Sequence, residues 1–496
     1  MSKKLRILSL VLALLMVAAI FVGCAQTNEP GSETQAPGSN NADSEAVTDP
    51  VEDALTALRS EVDWGGKDFG ILYVNEFGYT EEVEAEQSST NESSSAVIND
   101  AVFERNTLFE EYCNLTFVLL PVSNGAATGS IQAEVQTGTG DFHLITTTTD
   151  TAANNATSGF LYDYLQLDID YEEDWWDAGT LEFALDGHVF FMDGPFNIVD
   201  DDVTFVLMFN KELREQYKIA NPYDTVKAGE WTLDHFNSIV SQLATENGDG
   251  KWDEKDTYGF STPGSIGNTF FYGAGLQYVA NNRTMDAPEL VLADKMEQAL
   301  DVLRLARSIV HDNNSTYVAP HGSEGLSRDV FVQGRSLFYC EAASYLRGLN
   351  ANMEREYGVI PVPKYNKEQA KYTTWRHSIG STLSIPTSVG KADMEQFALV
   401  LETYTVLSQK LVRPAYYEVM LTTRNVQDVE SSEMLDLIFQ NRTYDMAMYF
   451  TSLGFSGLFE EAVKGSGDNF ASQYSAASRG FDKKIASILR RLQAGR

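Results

Sequence analysis

The sequence predicts an α/β protein of two lobes, and three observations carry that prediction. Strand-like and helix-like segments alternate over residues 69–146. Amphipathic helices dominate the second half of the chain. About 440 residues of globular composition, 43% hydrophobic and 11% aromatic over the whole chain, exceed what one ordinary core holds.

The chain opens with Lys3, Lys4 and Arg6, an apolar run over residues 7–22 too short for an ordinary membrane span, and then Phe21-Val22-Gly23-Cys24. This resembles a bacterial lipoprotein signal (residues 1–23) ending at a lipobox, with Phe21 where that family usually carries Leu. The resemblance implies cleavage before Cys24, lipid on its thiol, and a protein held outside the cytoplasm by that anchor. Residues 25–50 are rich in Ser, Thr, Asn, Gly, Pro and acids, with almost no large apolar side chain to offset their chain entropy by burial. A disordered linker is expected within residues 24–60, holding the globular body clear of the membrane.

Residues 69–74 read as a strand, and residues 98–112 place Ile98, Val102, Leu108, Phe109 and Tyr112 near one helical face. Residues 115–122 form a second apolar, β-branched run, a short helix is expected near 131–136, and 142–146 is a third strand introduced by Gly140-Asp141. Strand, helix, strand, helix, strand is the pattern of a parallel sheet covered on both faces. Ligands of such sheets gather beyond the carboxyl ends of the strands. Further on, Asp294 is positioned to cap a helix carrying Met296, Leu300, Leu303, Ala306 and Val310, with Glu297 completing a capping-box-like pair. Helices are also expected around 394–404 and 481–492, and strands at 336–340 and 357–363, the last limited by Pro361 and Pro363.

A formal net charge of -35 excludes the basic surface that nucleic acid or anionic lipid would require. With Cys24 assigned to lipid, Cys113 and Cys340 remain, either as a disulfide or as two unrelated buried thiols. Catalytic signatures are missing: none of the six histidines sits in an HExxH spacing, and no GxSxG elbow or Walker loop occurs. Ser388-Val389-Gly390-Lys391 fits the short SxxK pattern, but the accompanying SDN and KTG elements are absent. The protein is therefore expected not to be an enzyme and to require no cofactor.

"TFVLMFNKELREQY", "GEWTLDHF", "FVQGRSLFYCEAASYLRGL", "EYGVIPVPKY" and "STLSIPTSVGKADMEQFALVLETY" occur in that order. This ordered set resembles the extracellular solute-binding proteins (family 1) of ABC importers, within the carbohydrate-binding group that includes maltose-binding protein. The resemblance covers 69–492 and implies a two-lobe periplasmic-binding-protein-like fold joined by crossing strands. It assigns residues 64–202 with 364–430 to the first lobe, and 203–363 with 431–496 to the second. It further implies a monomer that closes on a carbohydrate, an oligosaccharide by expectation, and hands it to the transmembrane subunits of a permease. The alternatives are a peptide receptor of an importer and a secreted glycan hydrolase.

In that frame a strand over 204–209 crosses between the lobes, with Asp200, Asp201 and Asp202 at its start. Carboxylates beside a cleft accept strong charged hydrogen bonds from sugar hydroxyls. Alternation along an extended segment selects Asp201 and Asp202. Sugars also stack their apolar C–H faces on flat rings, for which Trp175, Trp176, Tyr272, Tyr345 and Trp375 are the candidates. Tyr345 is favoured by the family's segment order, although Trp in the maltose-binding pattern falls where this chain has Ser344 and Leu346. Asp150 matches the place of a family carboxylate that meets sugar, and could equally be a helix N-cap.

"TENGDGKWDEKD", residues 245–256, has calcium-loop spacing, with Asn247, Asp249, Lys251, Asp253 and Asp256 as ligands around the turn at Gly250. Thr245 replaces the usual first Asp, and Asp256 replaces the longer Glu at the end. A structural calcium ion and a plain Asx-rich turn are the two readings.

Overall fold

The computed structural model describes residues 49–85, 94–264, 266–281, 287–311, 314–353, 355–421, 429–465, 467 and 469–494. Cys24 and the leader lie outside them. Among the described residues no helix is long and apolar enough to cross a membrane.

Helix α1 (Pro50–Glu61) occupies the last part of the span expected as linker. Asp49 caps it by accepting from the Val51 N–H at 3.0 Å, and Pro50 is already shaped for the first turn. Leu55 and Leu58 are buried on its inner face and supply the apolar surface that residues 25–48 lack.

Along the chain follow β1 (Lys67–Val74), the short α2 (Thr80–Val83), α3 (Ser94–Cys113), β2 (Leu115–Val122), α4 (Asn124–Thr137), β3 (Leu144–Thr148), α5 (Thr149–Thr157) and β4 (Phe191–Met192). A helical turn, α6 (Val199–Asp202), leads into β5 (Phe205–Asn210), and then come β6 (Thr257–Thr262), α7 (Met296–His311), β7 (Thr316–Val318), β8 (Ser336–Ala342), α8 (Ser344–Asn352) and β9 (Tyr357–Ile360). The chain returns through β10 (Thr374–Trp375) to β11 (Ser381–Ser384) and α9 (Met394–Leu421). After these come α10 (Val429–Phe439), β12 (Arg442–Thr443), α11 (Met446–Tyr449) and α12 (Phe481–Ala494).

Two mixed sheets result. The first has the order β2-β1-β3-β11-β4, with β1, β2 and β3 parallel and β11 antiparallel to both its neighbours. The second runs β7-β6-β8-β5-β9, with β5 antiparallel to β8 and β9. Strand β9 stops at Ile360, just before Pro361, as a residue without an N–H dictates. Helix α7 starts two residues after Asp294 because a tighter turn over Leu292–Lys295 comes first.

Adjacent residues of β3 face opposite sides of the first sheet. Leu144 joins Phe69, Phe109, Trp175, Trp176, Phe397 and Leu401 in one core, whereas Ile145 joins Ala152, Ala153 and Ala156 of α5 in another. That second core continues into residues of the second sheet and into Tyr449, Phe450 and Ile485, because α5 packs directly on α11 and α12. Helix α9 passes from the first of these cores to a third, which holds Val412, Tyr416 and Val419, and Pro414 removes one helical hydrogen bond there. Cys113 and Cys340 are buried in different cores as free thiols, and burial pushes the Cys113 thiol up to about 12.

Candidate ligand site at the junction of the two sheets

Chain segments pass between the sheets at 193–204 and at 361–380. Asp193 follows β4 on the first, and Arg376 follows β10 on the second. Arg376 Nη2 lies 2.8 Å from Asp193 Oδ2 and donates to Thr149 Oγ1 at 2.9 Å. The rings of Phe183, Tyr444 and Tyr449 surround its guanidinium at 5.6 to 5.9 Å. Burial pushes the Asp193 carboxyl well up, and the Arg376 charge opposes that shift.

The aspartate triplet sits on α6, a helical turn and not the extended start of a strand. A helix turns about 100° per residue, so consecutive side chains fan out and meet different partners. Arg442 Nη1 lies 2.9 Å from Asp200 Oδ2 and donates to Asp201 Oδ1 at 2.7 Å, while Arg413 holds the other oxygen of Asp201. Arg347 and the Tyr416 hydroxyl hold the two oxygens of Asp202. All three aspartates are buried. The protein's own arginines thus occupy Asp201 and Asp202, placed by sequence among the sugar acceptors. Charges taken from water require such compensation, which a solvated acidic turn would not.

Arg347 also pairs with Glu81 at 2.7 Å, tying α8 beyond the second sheet to α2 beyond the first. Exposed rings flank this tie: Tyr345, 38% exposed at the start of α8, and Phe77, 45% exposed in the turn after β1. Tyr345 carries Arg328 at 6.0 Å from its ring.

Three other expected residues come together around residues 374–380. Trp375 stacks on Phe205 at 4.9 Å with an interplanar angle of 8°, and Tyr272 lies 6.0 Å from it on the side of the second sheet. The Trp375 indole N–H donates to Thr269 Oγ1, and the Tyr272 hydroxyl donates to Asp445 Oδ2 at 3.2 Å. His377 stands 5.7 Å from Trp375; desolvation holds its imidazole below the usual value, and the Asp150 charge opposes that shift. Asp150 lies half-buried in the first turn of α5, accepting the Thr151 N–H at 2.9 Å, while Thr148 takes the N-cap position. Towards solvent, the junction presents the half-buried Asp150 carboxylate and the exposed His377 imidazole, while the carbonyls of residues 377–380 accept from Gly380, Thr149 and Tyr79. Beneath them lie stacked rings. Buried hydroxyls of Thr147 on β3 and Thr262 at the end of β6 have no partner among the described residues.

Trp175 and Trp176 do not join this junction. They are buried on the α9 face of the first sheet, with Trp176 against Tyr171 and Phe196, and they line a separate cavity. The loop over 245–256 turns its side-chain oxygens inward onto its own backbone. Asp256 accepts the Asn247 and Asp253 N–H groups at 2.8 and 2.7 Å, Asn247 accepts from Asp249, and Asp249 from Lys251. Lys251 contributes its N–H to this array, and Asp253 accepts from Lys255. Among the described residues no group of three or more His, Cys, Asp or Glu is placed to hold a metal ion.

Arg376, Asp193, His377 and Phe205 were not singled out by sequence. The available signal was Arg376-His377 between the β-run at 374–375 and Gly380, a cation in a stretch otherwise fit for burial.

No protein-family model matches the sequence, and no curated protein matches it. Solved structures do. An ABC substrate-binding protein from Listeria monocytogenes, in complex with cycloalternan, is 12% identical with a TM-score of 0.53, covering 85% of this chain and 99% of its own. A cyclo/maltodextrin-binding protein complexed with maltotetraose gives 11% identity and a TM-score of 0.55, over 84% of this chain and 97% of that one. The galacto-N-biose/lacto-N-biose I-binding protein of a Bifidobacterium longum ABC transporter, in complex with lacto-N-biose, gives 14% and 0.53, over 86% and 98%. The fold is that of an ABC substrate-binding protein. At these identities the likeness is one of architecture, and it spans nearly the full length of each matched chain.

Proposed function

We propose that the protein is the lipid-anchored, extracytoplasmic receptor of an ABC importer, capturing a carbohydrate between its two sheets and passing it unchanged to membrane permease subunits. The observation that carries this reading is the fold, shared over nearly their whole lengths with binding proteins solved with cycloalternan, maltotetraose and lacto-N-biose. The junction chemistry supports it. Asp150 offers a charged acceptor, His377 a ring that donates or accepts, and Phe77 and Tyr345 exposed rings on either side. Hydroxyl-rich solutes also satisfy buried hydroxyls such as those of Thr147 and Thr262, whose lack of partners is costly.

The mechanism is a shift between open and closed arrangements. Contacts of α5 with α11 and α12, and the Arg347–Glu81 pair, link the sides of the two sheets, while Asp193–Arg376 and Asp200–Arg442 hold the crossing segments; on this reading the former would part on opening and the latter would persist. Solute that touches both sides favours the closed form by its differential affinity. No bond is made or broken. The lipobox at Cys24 would supply the anchor, keeping a monomer near its permease.

A thermal-shift screen across monosaccharides, oligosaccharides and peptides tests the solute class, because a ligand confined to the folded state raises the melting temperature. Stabilisation by an oligosaccharide supports the proposal. Stabilisation by peptides alone, or sugar cleavage by the purified protein, contradicts it.

A further inference from the structure

A cavity of about 290 Å³ lies against the hinge, lined by Trp175, Trp176, Asp200, Arg413, Tyr417 and Arg442 among others. It flanks the α9 face of the first sheet. Asp150 and α5 lie on the opposite face, as the split between Leu144 and Ile145 shows. It is thus a different place from the junction described above.

Besides Trp175 Nε1, which lies against Glu402, three buried polar atoms of its lining residues have no partner among the described residues: Trp176 Nε1, Arg442 Nε and Asp200 Oδ1. Leaving such groups unmet is costly, and native proteins usually satisfy them. Two of the atoms are donors and one is an acceptor. The aromatic rings of Trp175, Trp176 and Tyr417 supply apolar walls. Asp200, Arg413 and Arg442 are already engaged in mutual ion pairs through Asp201, so the wall offers no spare positive charge to an anion. An ammonium only donates, and would leave the indole and guanidinium N–H groups unmet. Hydroxyl groups both donate and accept, and a ring of them carries the apolar C–H face that aromatic walls take.

We infer that this hinge cavity is a second binding site, for a single neutral polyhydroxylated molecule of monosaccharide or polyol size. Its walls come from the segment before β4, from α6, from α9 and from β12, so an occupant braces segments that run between the sheets and favours one hinge geometry. This inference stands apart from the junction reading: the hinge site takes its ligand whether or not the junction does.

The test is fluorine NMR of the full chain labelled with 5-fluorotryptophan, in a detergent without a sugar headgroup. The six tryptophan signals are assigned by single Trp→Phe replacements. Glucose, galactose, mannose, xylose, ribitol and myo-inositol are titrated separately. The expected result is a saturable shift of the Trp175 and Trp176 signals with at least one of them. Trp176→Phe, which keeps a ring and loses the N–H donor, should weaken that response at Trp175 about tenfold, the worth of one hydrogen bond. Gln409→Leu, which removes an amide from the wall and takes part in no ion pair, provides a second variant and should also weaken it. The inference is overturned if no compound moves Trp175 and Trp176, if neither variant changes the affinity, or if Trp375 alone responds. That last outcome would leave the junction reading standing.

Discussion

Arg376 Nη2 lies 2.8 Å from Asp193 Oδ2, and neither side chain exposes any surface to solvent. The pair joins the crossing segment after β4 to the one after β10, so it fixes the base on which the two sheets are hung. Asp193→Ala leaves the guanidinium buried without its counter-charge and should destabilise the fold by about 3–5 kcal/mol. Replacing both partners with apolar residues, as in Asp193→Leu with Arg376→Met, should recover most of that loss. Urea unfolding at neutral pH measures both.

Glu82 gives a pH prediction. It is buried beneath α6, where it accepts the Ile198 N–H and the Ser381 hydroxyl, each at 2.6 Å. Burial pushes its carboxyl up to about 8, against the pull of those hydrogen bonds. With a folded value above the unfolded one, the folded state binds the extra proton, so this group's stabilisation is complete below about 4.5 and is lost as pH rises to about 8. Asp202 acts in the same sense, raised to about 7 by burial against the Arg347 charge. Glu82→Gln keeps an acceptor for the backbone and removes the titration. Melting temperatures measured from pH 5 to pH 9 should therefore fall less steeply in this variant than in the parent protein.

At the junction, Asp150→Ala and His377→Ala change side chains that reach solvent and support no core. Each should weaken binding of the stabilising sugar about tenfold, as loss of one good polar contact does. Calorimetric titration checks the affinity, and the melting temperature without sugar should stay within about 1 kcal/mol of the parent in stability terms.

For the loop over 245–256, Asp256 already spends both oxygens on backbone N–H groups at 2.8 and 2.7 Å. Calcium at about 1 mM, the range of weak extracellular sites, should leave the melting temperature unchanged, as should its chelation. A rise with calcium that Asp249→Ala abolishes would show that the loop rearranges into a metal site.

Much of the architecture was legible because it rests on local signals. Strand β2 occupies 115–122 as its apolar run announces, and the proline at 361 ends β9 as expected. Helix α9 runs well past 404 because tertiary packing of Val412, Tyr416 and Val419 carries it through Pro414. Of the residues expected at the candidate site, Asp150, Tyr272 and Trp375 lie around residues 374–380, with Tyr272 and Trp375 buried beneath them. The pairing of Asp201 and Asp202 was not legible: sequence shows three like charges side by side, but their compensation comes from Arg347, Arg413 and Arg442, more than a hundred residues away. Long-range pairing of buried charge has no local signature.

Small-angle X-ray scattering, recorded with and without a saturating sugar that raises the melting temperature, addresses capture by closure most directly. The radius of gyration should fall when that sugar is added and stay constant with a sugar that does not bind. Superimposable profiles at saturation would contradict closure on the solute.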